Sequence, residues 1–154
     1  MRKIIPFAIM ALSVMSCSKE DEPMESATEQ QAIEIAKVLD GKFIGTEQQL
    51  TGLKTYEITF RPYQYPKKEE FTIPGEYVDI DKKVMVFGEC TEVEYFGKQP
   101  VDTEWRYSVN IAYDGAQPEL WFHPISVYGK YETHDITIIN NTSFRLDDIT
   151  YKKQ

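Results

Sequence analysis

Few residues in this chain are of the types that carry chemistry, and they are scattered. The two histidines are His123 and His134. His123 stands in Trp121-Phe122-His123-Pro124, where a period of two sets it beside Trp121 and Ile125; that placement suits a hydrogen-bonded wall or rim residue better than a general base. His134, in Glu132-Thr133-His134-Asp135, has acidic neighbours, but adjacent residues on a strand point to opposite faces. A metal there would need ligands from other strands. Glu92 and Glu94 would share one strand face, whereas glycosidase chemistry needs carboxylates facing across a cleft in different environments. Cys90 has no helix start or basic cluster nearby to lower its thiol pKa, which describes a small buried hydrophobe. No Gly-rich phosphate loop, GxSxG elbow, HExxH pair or EF-hand loop occurs. No nucleophile, base and orienting group can be assembled from these residues, so the expectation is a non-enzymatic protein with no catalytic residue, metal or cofactor.

The elements that would position any site are mostly strands. Ser26-Ala27-Thr28-Glu29 matches a capping box, Ala32, Ile35, Ala36 and Leu39 share one helical face, and Gly41 stands where such a helix would stop. This predicts one short amphipathic helix lying as a lid on a larger body. Leu53 to Phe60 then alternates, with Tyr56, Ile58 and Phe60 on one face. Trp105 to Tyr113 alternates for longer, with Trp105, Tyr107, Val109, Ile111 and Tyr113 on one face, the pattern of a half-buried antiparallel strand. Further strands are predicted at Lys42 to Gln49, Glu70 to Ile73, Tyr77 to Ile80, Lys83 to Phe87, Thr91 to Phe96, Glu119 to Tyr128, Tyr131 to Ile139 and Ser143 to Lys152. The separators are turn-like, among them Thr51-Gly52, Pro74-Gly75, Asp114-Gly115, Gly129 and Asn140-Asn141. Arg61 to Lys68 reads as a loop at the mouth of the fold. Many short strands without helical crossovers specify an all-β antiparallel meander. Closure into a barrel of about eight strands removes the sheet edges; a two-sheet β-sandwich is the alternative.

The first segment has a different character. Arg2 and Lys3 precede an apolar run from Ile4 to Val14, then Met15-Ser16-Cys17, which is the layout of a signal peptide over residues 1–16. The run is shorter than the roughly 18 to 20 residues a spanning helix needs. Val14-Met15-Ser16-Cys17 resembles the lipobox of bacterial lipoproteins, in which the cysteine sulfur takes a diacylglycerol and becomes the new N-terminus. Lys19-Glu20-Asp21-Glu22 is similar to the acidic signal that follows this cysteine in surface-exposed lipoproteins of the Bacteroidota. The resemblance implies lipidation at Cys17, a flexible acidic tether over 17–25, a single domain over 26–154, and a place in the cell envelope on the outer membrane, facing outward. Two or more acyl chains at about 0.8 kcal/mol per buried methylene suffice for stable anchoring.

The chain of 154 residues carries 17 basic and 25 acidic side chains. Removing Arg2 and Lys3 leaves 15 basic against 25 acidic, a formal net charge of −10. Such a surface argues against nucleic acid and anionic membrane as partners. With Cys17 lipidated, Cys90 is the one remaining thiol, which excludes an intramolecular disulfide and a CxxC zinc site.

Leu39-Asp40-Gly41-Lys42-Phe43-Ile44-Gly45-Thr46 looks like the start of the lipocalin-like domains of Bacteroidota lipoproteins, with Gly41-Lys42-Phe43 similar to the Gly-x-Trp motif of lipocalins. The ending, "DITIINNTSFRLDDITYKKQ", resembles the family's last strands. The resemblance implies structural roles at the barrel base for Gly41 and Phe43, and for Arg145 as the arginine that packs over the first-strand aromatic. A barrel of this size either fills with side chains or holds one small ligand. Tyr56, Phe60, Trp105, Tyr107, Tyr113 and Trp121 are the candidate pocket wall. The expected function is binding of a small apolar or amphiphilic molecule by a monomeric domain. The alternative is a filled barrel that presents its loops to a protein or glycan.

Overall fold

The computed structural model describes residues 27–73, 80–97, 99–111, 117–125 and 130–154. The expected signal segment, Cys17, the tether, Ser26 of the capping box, Tyr113 and the turn positions Pro74-Gly75, Asp114-Gly115 and Gly129 lie outside these residues.

Helix α1 (Ala27–Val38) buries Ala32, Ile35 and Ala36 together with Leu39 just beyond it. Their spacing of three and four residues sets them on one face. The Leu39 amide bonds back to the Ala36 carbonyl at 3.0 Å, and Gly41 at φ 88° turns the chain into the first strand. That left-handed conformation is open to glycine without steric cost.

Eight strands follow: β1 (Gly41–Gln49), β2 (Gly52–Ile73), β3 (Ile80–Tyr95), β4 (Val101–Asn110), β5 (Glu119–Pro124), β6 (Glu132–Asn140), β7 (Ser143–Leu146) and β8 (Ile149–Lys153). Each pairs antiparallel with the next, and β8 pairs with β1 through Phe43↔Lys153, Ile44↔Lys152 and Gly45↔Tyr151, so the sheet is a closed barrel. The fold is therefore the expected all-β antiparallel barrel with one short helix, of the kind seen in lipocalins. Closure pairs the edges that a sandwich would leave open.

Strands are extended, joined or divided otherwise than the sequence suggests at three places, and β4 (Val101–Asn110) begins and ends earlier than the expected Trp105 to Tyr113. Arg61 to Lys68 is not a loop but part of β2, which continues to Ile73. The register with β3 shifts between Pro62 and Lys67, so a bulge absorbs the irregularity that Pro62 and Pro66 announce in the sequence. Opposite it, Gly88 pairs with Pro62; a Cβ there would stand 2.4 Å from the Arg61 carbonyl oxygen and 2.7 Å from the Pro62 Cα. The segments Lys83 to Phe87 and Thr91 to Phe96 are likewise joined in one strand, β3. Ser143 to Lys152 is two strands, divided at Asp147, whose φ of 48° opens a tight turn. Asp tolerates the left-handed region through local hydrogen bonding, which is the chemistry of two-residue hairpins.

Inward-facing side chains fill the half of the barrel nearest α1. Phe60 and Tyr107 meet edge to face with centroids 5.0 Å apart, Phe43 and Phe144 lie 4.9 Å apart, and Phe144 stacks on Tyr151 at 5.2 Å. Leu39, Phe43, Ile58, Tyr107, Leu120, Phe122 and Phe144 have no exposed surface. Fully burying a side chain of this kind contributes roughly 1.5 to 3 kcal/mol. The Tyr107 hydroxyl reaches the Leu39 carbonyl at 3.4 Å, tying barrel to helix.

Candidate functional site: an acidic cavity at the open end

The alternation that fills one half of the barrel leaves the other half hollow. Along β2 the inward positions run from Phe60 and Ile58 to Tyr56; along β3 they run from Cys90 to Glu92 and Glu94. Aromatic and aliphatic residues thus give way to carboxylates toward the end away from α1. There a cavity of about 520 Å³ opens. Its floor is Trp105, Phe122 and Tyr151, with Trp105 and Phe122 stacked 5.8 Å apart at 21°. Six carboxylates line it: Glu47, Glu92, Glu94, Glu132, Asp147 and Asp148. The volume lies within the usual range for small-molecule pockets.

Each wall has its own hydrogen bonding. The Tyr56 hydroxyl donates to Glu47 Oε2 at 2.9 Å and Gln49 Nε2 donates to the same oxygen at 3.0 Å. These bonds hold the Glu47 carboxyl below its ordinary range, with the Gln49 amide the larger cause. Lys54 closes one side of the rim, 3.1 Å from Glu94 Oε2 and 4.6 Å from the Tyr56 ring centre. Glu92 sits deeper, and burial pushes its pKa up; repulsion from Glu132 and Glu94 adds to the shift, while His134 opposes it.

His134 is fixed by the β7–β8 turn. Its Nδ1 lies 2.8 Å from Asp147 Oδ2, and Asp147 Oδ1 accepts from the Asp135 amide at 2.9 Å. A carboxylate only accepts, so Nδ1 carries the proton and Nε2 faces Glu132, 3.6 Å away. Among the described residues no group of three or more His, Cys, Asp or Glu is arranged to hold a metal ion.

Trp105 supplies a donor. Its side chain is 6% exposed and lines the cavity, and its indole N–H is close enough to Glu92 to favour the carboxylate, yet it makes no hydrogen bond. A buried donor left unpaired costs about 1 to 3 kcal/mol.

The sequence-nominated aromatics divide between three places. Tyr56 and Trp105 line the cavity. Phe60 and Tyr107 belong to the packed half, where burial and the Leu39 contact occupy them fully. Trp121 is on the outer face of β5, since the register Tyr107↔Phe122 turns Phe122 inward; Lys82 covers its ring at 4.6 Å. Tyr113 lies outside the described residues. Tyr151, Glu92 and His134, which complete the cavity, become neighbours only when β3, β6 and β8 are brought together by closure. At the start of β1, Gly41 has a φ of 88° and Phe43 is fully buried. The cation over the Phe43 ring is Lys153, 5.7 Å from its centre, and not Arg145. Arg145 alternates with inward Phe144 and Leu146 and is exposed on the outer face.

His123 is fully buried outside the barrel wall, between β5 and the far part of β2. Phe71 stacks on it at 4.0 Å, its Nε2 lies 2.8 Å from the Ser108 hydroxyl, and Arg106 covers Phe71 while pairing with Glu69. Burial lowers its pKa to about 4, with Arg106 adding to the effect. Among the described cavities none is lined by Ser108 or His123. Cys90 is buried in the core and its thiol pKa is raised by that burial.

Compared with protein-family models, curated proteins and solved structures, the chain matches none.

Proposed function

We propose that this chain is a non-enzymatic binding protein whose half-hollow, lipocalin-like barrel holds one small amphiphilic molecule. The observation that carries this reading is the 520 Å³ cavity, which has an aromatic floor and polar walls inside an otherwise packed barrel. A barrel that served only to present loops would gain stability by filling that space, because interiors favour close packing. Tightly packed aromatics already fill the other half and supply the rigidity a preformed pocket needs.

The same reading places the protein at the cell surface. Cys17 would take the acyl chains and the acidic segment after it would act as the tether, in the manner of Bacteroidota surface lipoproteins. Helix α1, the first described element after that segment, packs on the end of the barrel opposite the cavity. An anchor there leaves the cavity mouth turned away from the bilayer.

Native mass spectrometry of the protein isolated from its own cells tests the binding reading: a reproducible added mass that disappears on denaturation supports it, and a clean apo mass contradicts it. Cys17→Ser tests the anchor, since the variant is expected in the soluble fraction and its retention on membranes would refute lipidation.

A further inference from the structure

Resting on the ligand-binding reading above, we infer that the cavity selects a small organic ammonium ion, an arylalkylamine. Four observations lead there. First, the lining is dominated by one charge: six carboxylates, against which the described basic groups are His134 in the wall and Lys54 at the rim. Carboxylates facing one another around a partly buried space repel, and a cation between them relieves that repulsion. An anion such as a fatty acid carboxylate would add to it.

Second, the site already contains its own ammonium complex. Lys54 Nζ lies over the Tyr56 ring at 4.6 Å and against Glu94 at 3.1 Å, which is an aromatic face and a carboxylate sharing one cation. Deeper in the cavity, Glu92 stands near Trp105 and Tyr151, and no ion pair among the described residues involves it. A ligand amine at Glu92 would repeat the arrangement at the rim.

Third, the Trp105 indole N–H, on a residue that lines the cavity and is more than nine-tenths buried, lies beside Glu92 without completing a hydrogen bond. A ligand ammonium at Glu92 keeps that group a carboxylate, the acceptor this N–H faces. Fourth, the floor is aromatic, with Trp105 and Phe122 stacked on one another. Offset stacking on such a floor favours an aromatic body over a branched aliphatic one.

Three probes sharing one body separate charge from shape: tyramine, its neutral alcohol counterpart tyrosol, and its anionic counterpart 4-hydroxyphenylacetate. Calorimetric titration of the purified full chain is expected to show tyramine binding at least tenfold more tightly than tyrosol, with 4-hydroxyphenylacetate weakest. Glu92→Gln should remove most of tyramine's advantage while leaving tyrosol unchanged. Glu132→Gln, at a more exposed position, should reduce the advantage by a smaller factor and serves if the first variant fails to fold. Equal affinities for the three probes, or a preference for the anion, would overturn the inference and leave a binding barrel without charge selection. Binding of none of them would overturn this ligand class, while the native mass measurement separately decides whether a ligand exists.

Discussion

Lys153 on the last strand holds its ammonium 5.7 Å above the ring of Phe43 on the first, at the one place where the two ends of the sheet meet. The pair marks the closure of the barrel, and its members contribute unequally. Phe43 is fully buried against Phe60 and Phe144, whereas Lys153 is exposed. Phe43→Ala is expected to cost about 3 to 5 kcal/mol, the usual range for removing a core phenylalanine. Lys153→Met, which keeps the stem and loses the cation, should cost under about 1 kcal/mol. Urea unfolding of both variants measures the contrast; a near-zero effect at Phe43 would remove it from the barrel base.

Gly88 predicts a different failure. The clash a methyl group would meet is with backbone atoms of Arg61 and Pro62, which cannot rotate aside as a side chain can. Gly88→Ala should therefore lower stability by about 2 to 3 kcal/mol, the scale of overpacking in a close-packed interior. Gly52, with open space around its Cβ position, provides the comparison for strain from backbone conformation alone.

Stability should also carry the imprint of His123. Its folded-state pKa of about 4 is below the ordinary histidine value of 6.5, so the unfolded chain takes up a proton that the folded chain refuses. As pH falls from about 6.5 to about 4 the folded state loses stability, by up to about 3 kcal/mol for a shift of this size, and the loss levels off below that. Glu92 acts in the opposite sense, because its raised folded pKa adds stability as pH falls through it. The difference between wild type and His123→Gln isolates the histidine. Denaturant midpoints at pH 7, 5.5 and 4.5 should converge for the two proteins on acidification if His123 is the group responsible, and parallel curves would show that it is not.

The sequence was informative where periodicity ran through a whole element. The face of α1, the inward set of Trp105, Tyr107 and Val109, and the antiparallel meander follow from spacing, while closure into a barrel was one of two solutions that spacing allowed. It was less informative where a local signal competed with pairing. Pro62 and Pro66 look like a loop but sit in a bulge that β3 accommodates with Gly88. Asp147-Asp148 carries no glycine, so the turn that splits β7 from β8 was not legible, although aspartate supplies the needed conformation. The cavity was half legible. Tyr56 and Trp105 could be nominated as large residues on an alternating face, but the inward glutamates read as solvated because their neighbours come from strands distant in sequence. Trp121 was misplaced by one residue of phase, the error to which period-two patterns are most exposed, and Arg145, assigned by resemblance, faces outward while Lys153 covers Phe43.

A binding barrel must carry its ligand in the cavity when it is taken from the cell. Thr103 lies on the cavity wall, opposite Glu92 in the β3–β4 register. Native mass spectrometry of wild type and Thr103→Trp, each isolated from the protein's own cells, tests that directly. A small added mass on the wild type, absent from the tryptophan-filled variant at an unchanged melting temperature, is the predicted result. Identical apo masses for both proteins would contradict it and return the function to the outer surface of the barrel.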